Sequence, residues 1–202
     1  MSRGRRYEEP KLNMKKVFAT ILAVIVIIMS IVVLAGILGK GKEQGKITSE
    51  DYFAAYKDNK WGVINAKGEN IIDPSYAEMI IVPNSKKDVF ICTYDTDYNA
   101  GTYKTKALNS KNEEILTQYD QIEAISNQDE NNNLWYEDMA LKVEKDGKYG
   151  LINLEGKELL NCEYDNISTL TGIKTTLKIE KEGKVGIANT EGKILIKPEY
   201  QE

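Results

Sequence analysis

The segment Lys60-Trp61-Gly62-Val63-Ile64-Asn65-Ala66-Lys67-Gly68 returns as Lys148-Tyr149-Gly150-Leu151-Ile152-Asn153-Leu154-Glu155-Gly156 and as Lys184-Val185-Gly186-Ile187-Ala188-Asn189-Thr190-Glu191-Gly192. A chain built this way must stack similar units, so recurring residues are explained by architecture before any chemistry is invoked. A fourth, decayed copy is Asn109-Ser110-Lys111-Asn112-Glu113-Glu114-Ile115-Leu116, with Thr105-Lys106 where the first copy has Trp61-Gly62. The anchoring asparagines are separated by 109 − 65 = 44, 153 − 109 = 44 and 189 − 153 = 36 residues. These periods fall within the range of solenoids and propellers.

Each unit reads as three antiparallel strands. The first strand is Phe53-Ala54-Ala55-Tyr56-Lys57, matched by Leu141-Lys142-Val143-Glu144-Lys145 and Leu177-Lys178-Ile179-Glu180-Lys181, with apolar side chains at alternate positions. That period of two predicts one buried and one wet face. Asp58-Asn59, Asp146-Gly147 and Glu182-Gly183 supply hairpin turns whose residues tolerate positive φ. The second strand carries the aromatic-glycine pair or its Val185-Gly186 equivalent and ends in an Asn-x-x-Gly turn, where the asparagine can bond its own backbone. The third strand runs into Asp73-Pro74-Ser75-Tyr76 or Lys197-Pro198-Glu199-Tyr200, where proline is expected to stop the ladder. Tyr119-Asp120-Gln121-Ile122 and Tyr164-Asp165-Asn166-Ile167 lead towards the next unit.

The Lys-Trp-Gly or Lys-Tyr-Gly strand, the Asn-x-x-Gly turn and the terminal Pro-x-Tyr together resemble the WG-repeat family of bacterial proteins over residues 52–202. The copy around Asn109 departs from that pattern, and Cys162 stands where the first and last copies have Pro74 and Pro198. The resemblance implies a repeated β architecture, often exported or membrane-attached, with no shared catalytic residues and no set ligand. The expected fold is all-β: four antiparallel three-stranded units forming a curved or propeller-like array. The last strand either closes on the first unit or caps the array.

The second constraint is the uncharged, apolar run Val17–Gly39. At about 1.5 Å per residue it is long enough to cross a hydrocarbon core about 30 Å thick, and it predicts one transmembrane helix. It exceeds the apolar core of about 7–15 residues found in a cleaved signal peptide, the main rival reading. Ile37 stands where a lipoprotein would need cysteine. Arg3, Arg5, Arg6, Lys11, Lys15 and Lys16 precede the run, a bias that keeps the N-terminus cytoplasmic and puts the repeats outside. The expected domains are a basic tail over 1–16, the helix over 17–39, a linker over 40–51 and the repeat domain over 52–202. Beyond the tail the balance is 27 − 6 = 21 basic against 31 − 2 = 29 acidic residues, a net charge of −8. That balance argues against a nucleic-acid partner.

The chain contains no histidine, which removes Ser-His-Asp and Cys-His catalysis and His-ligated zinc. Catalytic, cofactor and metal sites are therefore expected to be absent. Cys92 and Cys162 could pair in an exported protein, although two free thiols is the preferred reading. Asp95-Thr96-Asp97-Tyr98-Asn99-Ala100-Gly101 has calcium-like spacing but puts Ala100 at the turn glycine and Lys106 at the final acid, so a hairpin loop is preferred. Trp61, Tyr149, Tyr76, Tyr164 and Tyr200 recur and read as inter-unit core, whereas Trp135-Tyr136, beside the acidic insertion Asn127–Asn133, reads as a recognition pair.

The function expected from these features is a non-catalytic, membrane-anchored extracytoplasmic module binding a protein or a cell-wall polymer. The alternative is a structural subunit of a membrane assembly, associating through small residues of the span such as Ala19, Ala23, Ser30, Ala35 and Gly36. If the repeat reading is right, Gly150→Val or Gly156→Val lowers the melting temperature of the repeat domain. An unchanged melting temperature for both would contradict it.

Overall fold

The computed structural model describes Thr48 and residues 51–201. The expected basic tail, the span Val17–Gly39 and nearly all of the linker lie outside the described residues. Among the described residues every regular element is a β-strand, and no helix is long and apolar enough to cross a membrane. The strands are β1 (Tyr52–Lys57), β2 (Lys60–Asn65), β3 (Asn70–Tyr76), β4 (Phe90–Asp97), β5 (Thr102–Leu108), β6 (Glu114–Ile115) and β7 (Gln121–Gln128). They continue as β8 (Leu134–Lys145), β9 (Lys148–Asn153), β10 (Glu158–Tyr164), β11 (Asn166–Leu170), β12 (Ile173–Lys181), β13 (Lys184–Asn189) and β14 (Ile194–Tyr200).

They form four antiparallel meanders in chain order: β1-β2-β3, β4-β5-β6, β7-β8-β9-β10 and β11-β12-β13-β14. Two sheets have the three strands that the repeat predicts, and two have four. The extra strands come from Gln121-Ile122 and Asn166-Ile167, which the sequence presented as connections. Each pairs with the strand that opens the next repeat unit, β8 or β12, as in Ile122↔Val143 and Ile167↔Ile179. The second sheet keeps a remnant of the same strand, the reciprocal backbone bonds between Ile81 and Ile91 at 2.9 Å. All four sheets are open, with neither propeller nor barrel closure among the described residues.

The local turn chemistry agrees with the sequence. Asp58-Asn59, Asp146-Gly147 and Glu182-Gly183 all have positive φ, which reverses the chain with the twist that hairpin strands require. Asn153 Oδ1 accepts from the amides of Glu155 and Lys157 at 3.1 and 2.8 Å, while its carbonyl accepts from Gly156 N at 3.0 Å. The decayed copy builds the same turn: Asn109 Oδ1 accepts from Lys111 N and Glu113 N, and Asn112 takes the left-handed conformation at φ 61° in place of glycine.

Proline does not stop the third strand. Trp61 pairs with Tyr76 and Val63 with Ile72, so Asp73-Pro74-Ser75 bulge opposite the single residue Gly62 and the ladder then resumes. The same register change sets Asn161-Cys162-Glu163 opposite Gly150 and Lys197-Pro198-Glu199 opposite Gly186. A bulge leaves residues outside the ladder, so a missing N–H there costs little. The bulge also lies on the glycine: a Cβ on Gly186 would sit 2.5 Å from the Ile196 carbonyl oxygen. In the decayed copy β6 is two residues long and has no such bulge. Lys106 then fits where glycine is otherwise required, its ammonium 5.8 and 5.4 Å from the Tyr76 and Tyr94 rings.

Sheets stack face to face and bury three successive cores. Val63 and Ile72 of the first sheet meet Phe90, Cys92 and Leu108 of the second. Ile91 and Ala107, on the other face of the second sheet, meet Ile122, Leu141, Val143 and Ile152 of the third. Leu151, Leu160 and Tyr164 meet Ile167, Leu177, Ile179 and Ala188 of the fourth. Adjacent residues such as Phe90/Ile91 and Leu151/Ile152 serve different cores because strand side chains alternate. Trp61, Tyr76, Tyr149 and Tyr164 pack at these interfaces, as their recurrence suggested, whereas Tyr200 on the last strand is exposed and joins no core.

Cys92 and Cys162 are unpaired, Cys92 in the first core and Cys162 in the bulge over Gly150. Burial raises the Cys92 pKa to about 11, against smaller lowering effects of the Tyr76 hydrogen bond and the Lys106 charge. A thiol reagent at neutral pH is therefore expected to modify Cys92 only after denaturation, since the thiolate is the nucleophile. Mass-mapped labelling of the native protein checks this, and rapid native modification of Cys92 would contradict the packing.

Candidate functional site

Where the second copy loses its aromatic residue, the stack opens. Thr105 lies on the strand position occupied by Trp61 in the first sheet, facing the next sheet, and its Oγ1 accepts from Ile122 N at 3.0 Å. A hydroxyl thus holds β7 where a ring fills the interface elsewhere. Beside it is a cleft of about 360 Å³ between the second and third sheets, whose walls include Glu78, Thr96, Tyr103, Thr105, Glu123 and Tyr136. A smaller hollow of about 220 Å³ lies on the far side of β7, towards β11, and shares Glu123, Ala124 and Ser126 with the first.

Glu123 organises the cleft. Its Oε1 accepts from Tyr103 Oη and from Gln121 Nε2, both at 3.0 Å, and its Oε2 lies 2.5 Å from Lys142 Nζ. Lys142 also sits 5.0 Å from the centre of the Tyr149 ring, so charge and aromatic packing fix it together. Burial raises the Tyr103 pKa, with the Glu123 charge and hydrogen bond adding to it, and burial alone raises that of Tyr136. Both phenols therefore stay protonated at neutral pH and can donate as well as accept. Glu78 accepts a hydrogen bond from Tyr98 at the rim. Thr96 Oγ1 is shut off from solvent and has no hydrogen-bond partner among the described residues. The cleft thus offers hydroxyls, two carboxylates and aromatic edges to a ligand rich in N–H or O–H groups.

The recognition pair expected from the sequence is divided. Tyr136 lines the cleft, but Trp135 is half-buried, with Lys174 Nζ 5.3 Å from its ring centre and its Nε1 donating to Glu137 at 3.4 Å. The Asn127–Asn133 insertion is docked at its base rather than projecting freely. Asn127 is buried and its Nδ2 donates to the carbonyls of Leu170 and Ile173 at 3.2 and 3.0 Å. Buried Glu137 accepts from Thr175 N at 3.1 Å, tying the same hairpin to the fourth sheet. At the tip, Asp129 Oδ1 accepts from Asn131 N and Asn133 N, repeating the geometry of the Asn-x-x-Gly turns with an acid. These bonds, led by the one from the Asn133 side chain, lower the Asp129 pKa.

The Asp95–Gly101 segment is a hairpin tip: Asp97 Oδ1 accepts from Asn99 N and Ala100 N, and Asp95 lies 3.2 Å from Lys104 Nζ. Among the described residues no cluster of three or more metal-ligating side chains occurs. Tyr103, Thr105 and Glu123 were not distinguished by sequence. Their one signal was the missing aromatic-glycine pair at Thr105-Lys106.

Serial open sheets with a cleft at an irregular repeat define a β-repeat protein. The family model for the WG containing repeat matches residues 61–80, 149–171 and 186–202, so the chain carries WG-type repeats at three places. Each matched segment runs through the glycine-opposed bulge, and the decayed copy is unmatched. No curated protein and no solved structure matches the chain.

Asn127→Ala leaves two carbonyls without their buried donor and is expected to destabilise the domain by about 1–3 kcal/mol. Urea unfolding measures the loss; an unchanged midpoint would show that the hairpin is not pinned through Asn127.

Proposed function

We propose that the chain is a membrane-anchored, extracytoplasmic and non-catalytic β-repeat module that holds a protein or cell-envelope polymer in the cleft between its second and third sheets. The address is supported by the uncharged run Val17–Gly39 and the six basic residues before it. Binding is supported above all by the cleft, about 360 Å³ with Tyr103, Tyr136, Glu78 and Glu123 in its walls. Concave sites with a few fixed polar groups are where ligands are received. Glu123 is held by three donors, which makes it a fixed acceptor for a partner's ammonium, amide or hydroxyl group rather than a group that moves protons.

The full-length chain in detergent, immobilised and exposed separately to cell-wall polymer and to solubilised membrane proteins of the source organism, is expected to enrich one fraction. Tyr136→Ala and Glu78→Gln should each weaken that capture about tenfold, the scale of a hot-spot contact. Capture that survives both changes but is lost on leucine substitution of Ala19 and Ala23 would move the function into the span.

A further inference from the structure

The last sheet leaves uncovered the residues that the sheet before it buries. Leu160 and Tyr164, on the face of the third sheet that meets the fourth, are 7% and 2% exposed; their counterparts Ile196 and Tyr200 on the fourth sheet are 46% and 63% exposed. Ile187 completes the set at the position of buried Leu151, paired across the strands with Ile196 as Leu151 is with Leu160. At the opposite end of the stack, the first sheet presents Phe53, Ala55 and Ile64 only partly covered. Their counterparts Leu141, Val143 and Ile152 are fully buried against the second sheet. A hollow of about 320 Å³ lies on the first sheet and is lined by Ala55, Gly62, Ile64 and Pro74 among others.

The two ends are therefore the two halves of an interface that the chain already forms three times internally. Their charges match in the same way. At the boundary between the third and fourth sheets, Lys181 Nζ lies 2.9 Å from Glu163, the bulge residue just before Tyr164. The corresponding bulge residue of the last sheet is Glu199, and the lysine corresponding to Lys181 is Lys57 on the first; both are exposed.

We infer that the occupant of the fourth sheet's outer face is the first sheet of a second copy of this chain, packed head to tail with Ile187, Ile196 and Tyr200 on Phe53, Ala55 and Ile64, and Glu199 facing Lys57. Such a contact is heterologous, so each copy offers one face and leaves the other available to a further copy. The repeat array continues from chain to chain by the packing rule that builds it within one chain.

The test is the mass of the full-length chain in detergent by sedimentation across a dilution series. Wild type is expected to associate in a concentration-dependent manner. Ile196→Asp at one end and Phe53→Asp at the other should each weaken association at least about tenfold. Mixed together, the two variants retain one intact pair of faces and should form a 1:1 dimer that grows no further. Lys57→Glu weakens association and is rescued by Glu199→Lys, an arm that keeps the half-buried Phe53 in place; circular dichroism confirms that each variant is folded. Wild type running as a single copy at every dilution would overturn the proposal. So would association indifferent to these changes, which would belong to another surface or segment, or failure of the mixed variants to pair, which would mean that the faces do not meet each other.

Discussion

The contact on which the architecture depends is a backbone crossing. In three of four copies the third strand bulges over the glycine of the second, close enough that a Cβ on Gly62, Gly150 or Gly186 would lie 2.4–2.8 Å from a carbonyl oxygen. The bulge carries three residues past one and returns the strand to register with a tyrosine opposite the residue before the glycine: Trp61↔Tyr76, Tyr149↔Tyr164 and Val185↔Tyr200. Glycine, the bulge and the closing tyrosine are one device. Its product is a twisted sheet whose outward ring packs on the next sheet, as Tyr164 does in the third core.

The second copy lacks this device, and its sheet differs accordingly. Without a bulge the glycine is free to become Lys106, and without the aromatic residue the face towards the third sheet carries Thr105. The neighbouring sheets still hold together through Ile91, Ala107, Leu141 and Val143. The stack there is less completely filled, and the space becomes a cleft whose walls are hydroxyls and carboxylates. Repeats that keep the motif build the scaffold, and the copy that has lost it opens the cleft, the irregular place in an otherwise regular array.

Much of this was legible in the sequence because it is local. Turns at Asp58-Asn59 and Asp146-Gly147 and the asparagine-anchored turns declare themselves through residues with particular φ preferences, and even Asn112 for glycine preserves the conformation. The strands β7 and β11 were read as connections because their pairing partners, Val143 and Ile179, lie beyond a hairpin and are revealed only by register. The strand-stopping role assigned to proline failed for a related reason: a bulge excuses the missing N–H, and no local pattern announces a bulge. The cleft was hidden because Tyr103, Glu123 and Tyr136 come from different hairpins and meet only when sheets stack. The docking of the acidic surface insertion was not legible, since nothing near Asn127 in sequence names Leu170 and Ile173 as its acceptors.

The most direct measurement is a comparison of unfolding free energies for Gly62→Ala and Gly186→Ala against Lys106→Ala, all in the full-length chain. Adding a methyl group under the bulge should cost about 1–3 kcal/mol at each glycine, as overpacking does, whereas Lys106→Ala forfeits exposed or half-exposed ring contacts worth about 1 kcal/mol or less. That ordering is the result predicted if the crossing over glycine organises each sheet. Glycine variants as stable as wild type, or less affected than Lys106→Ala, would contradict it.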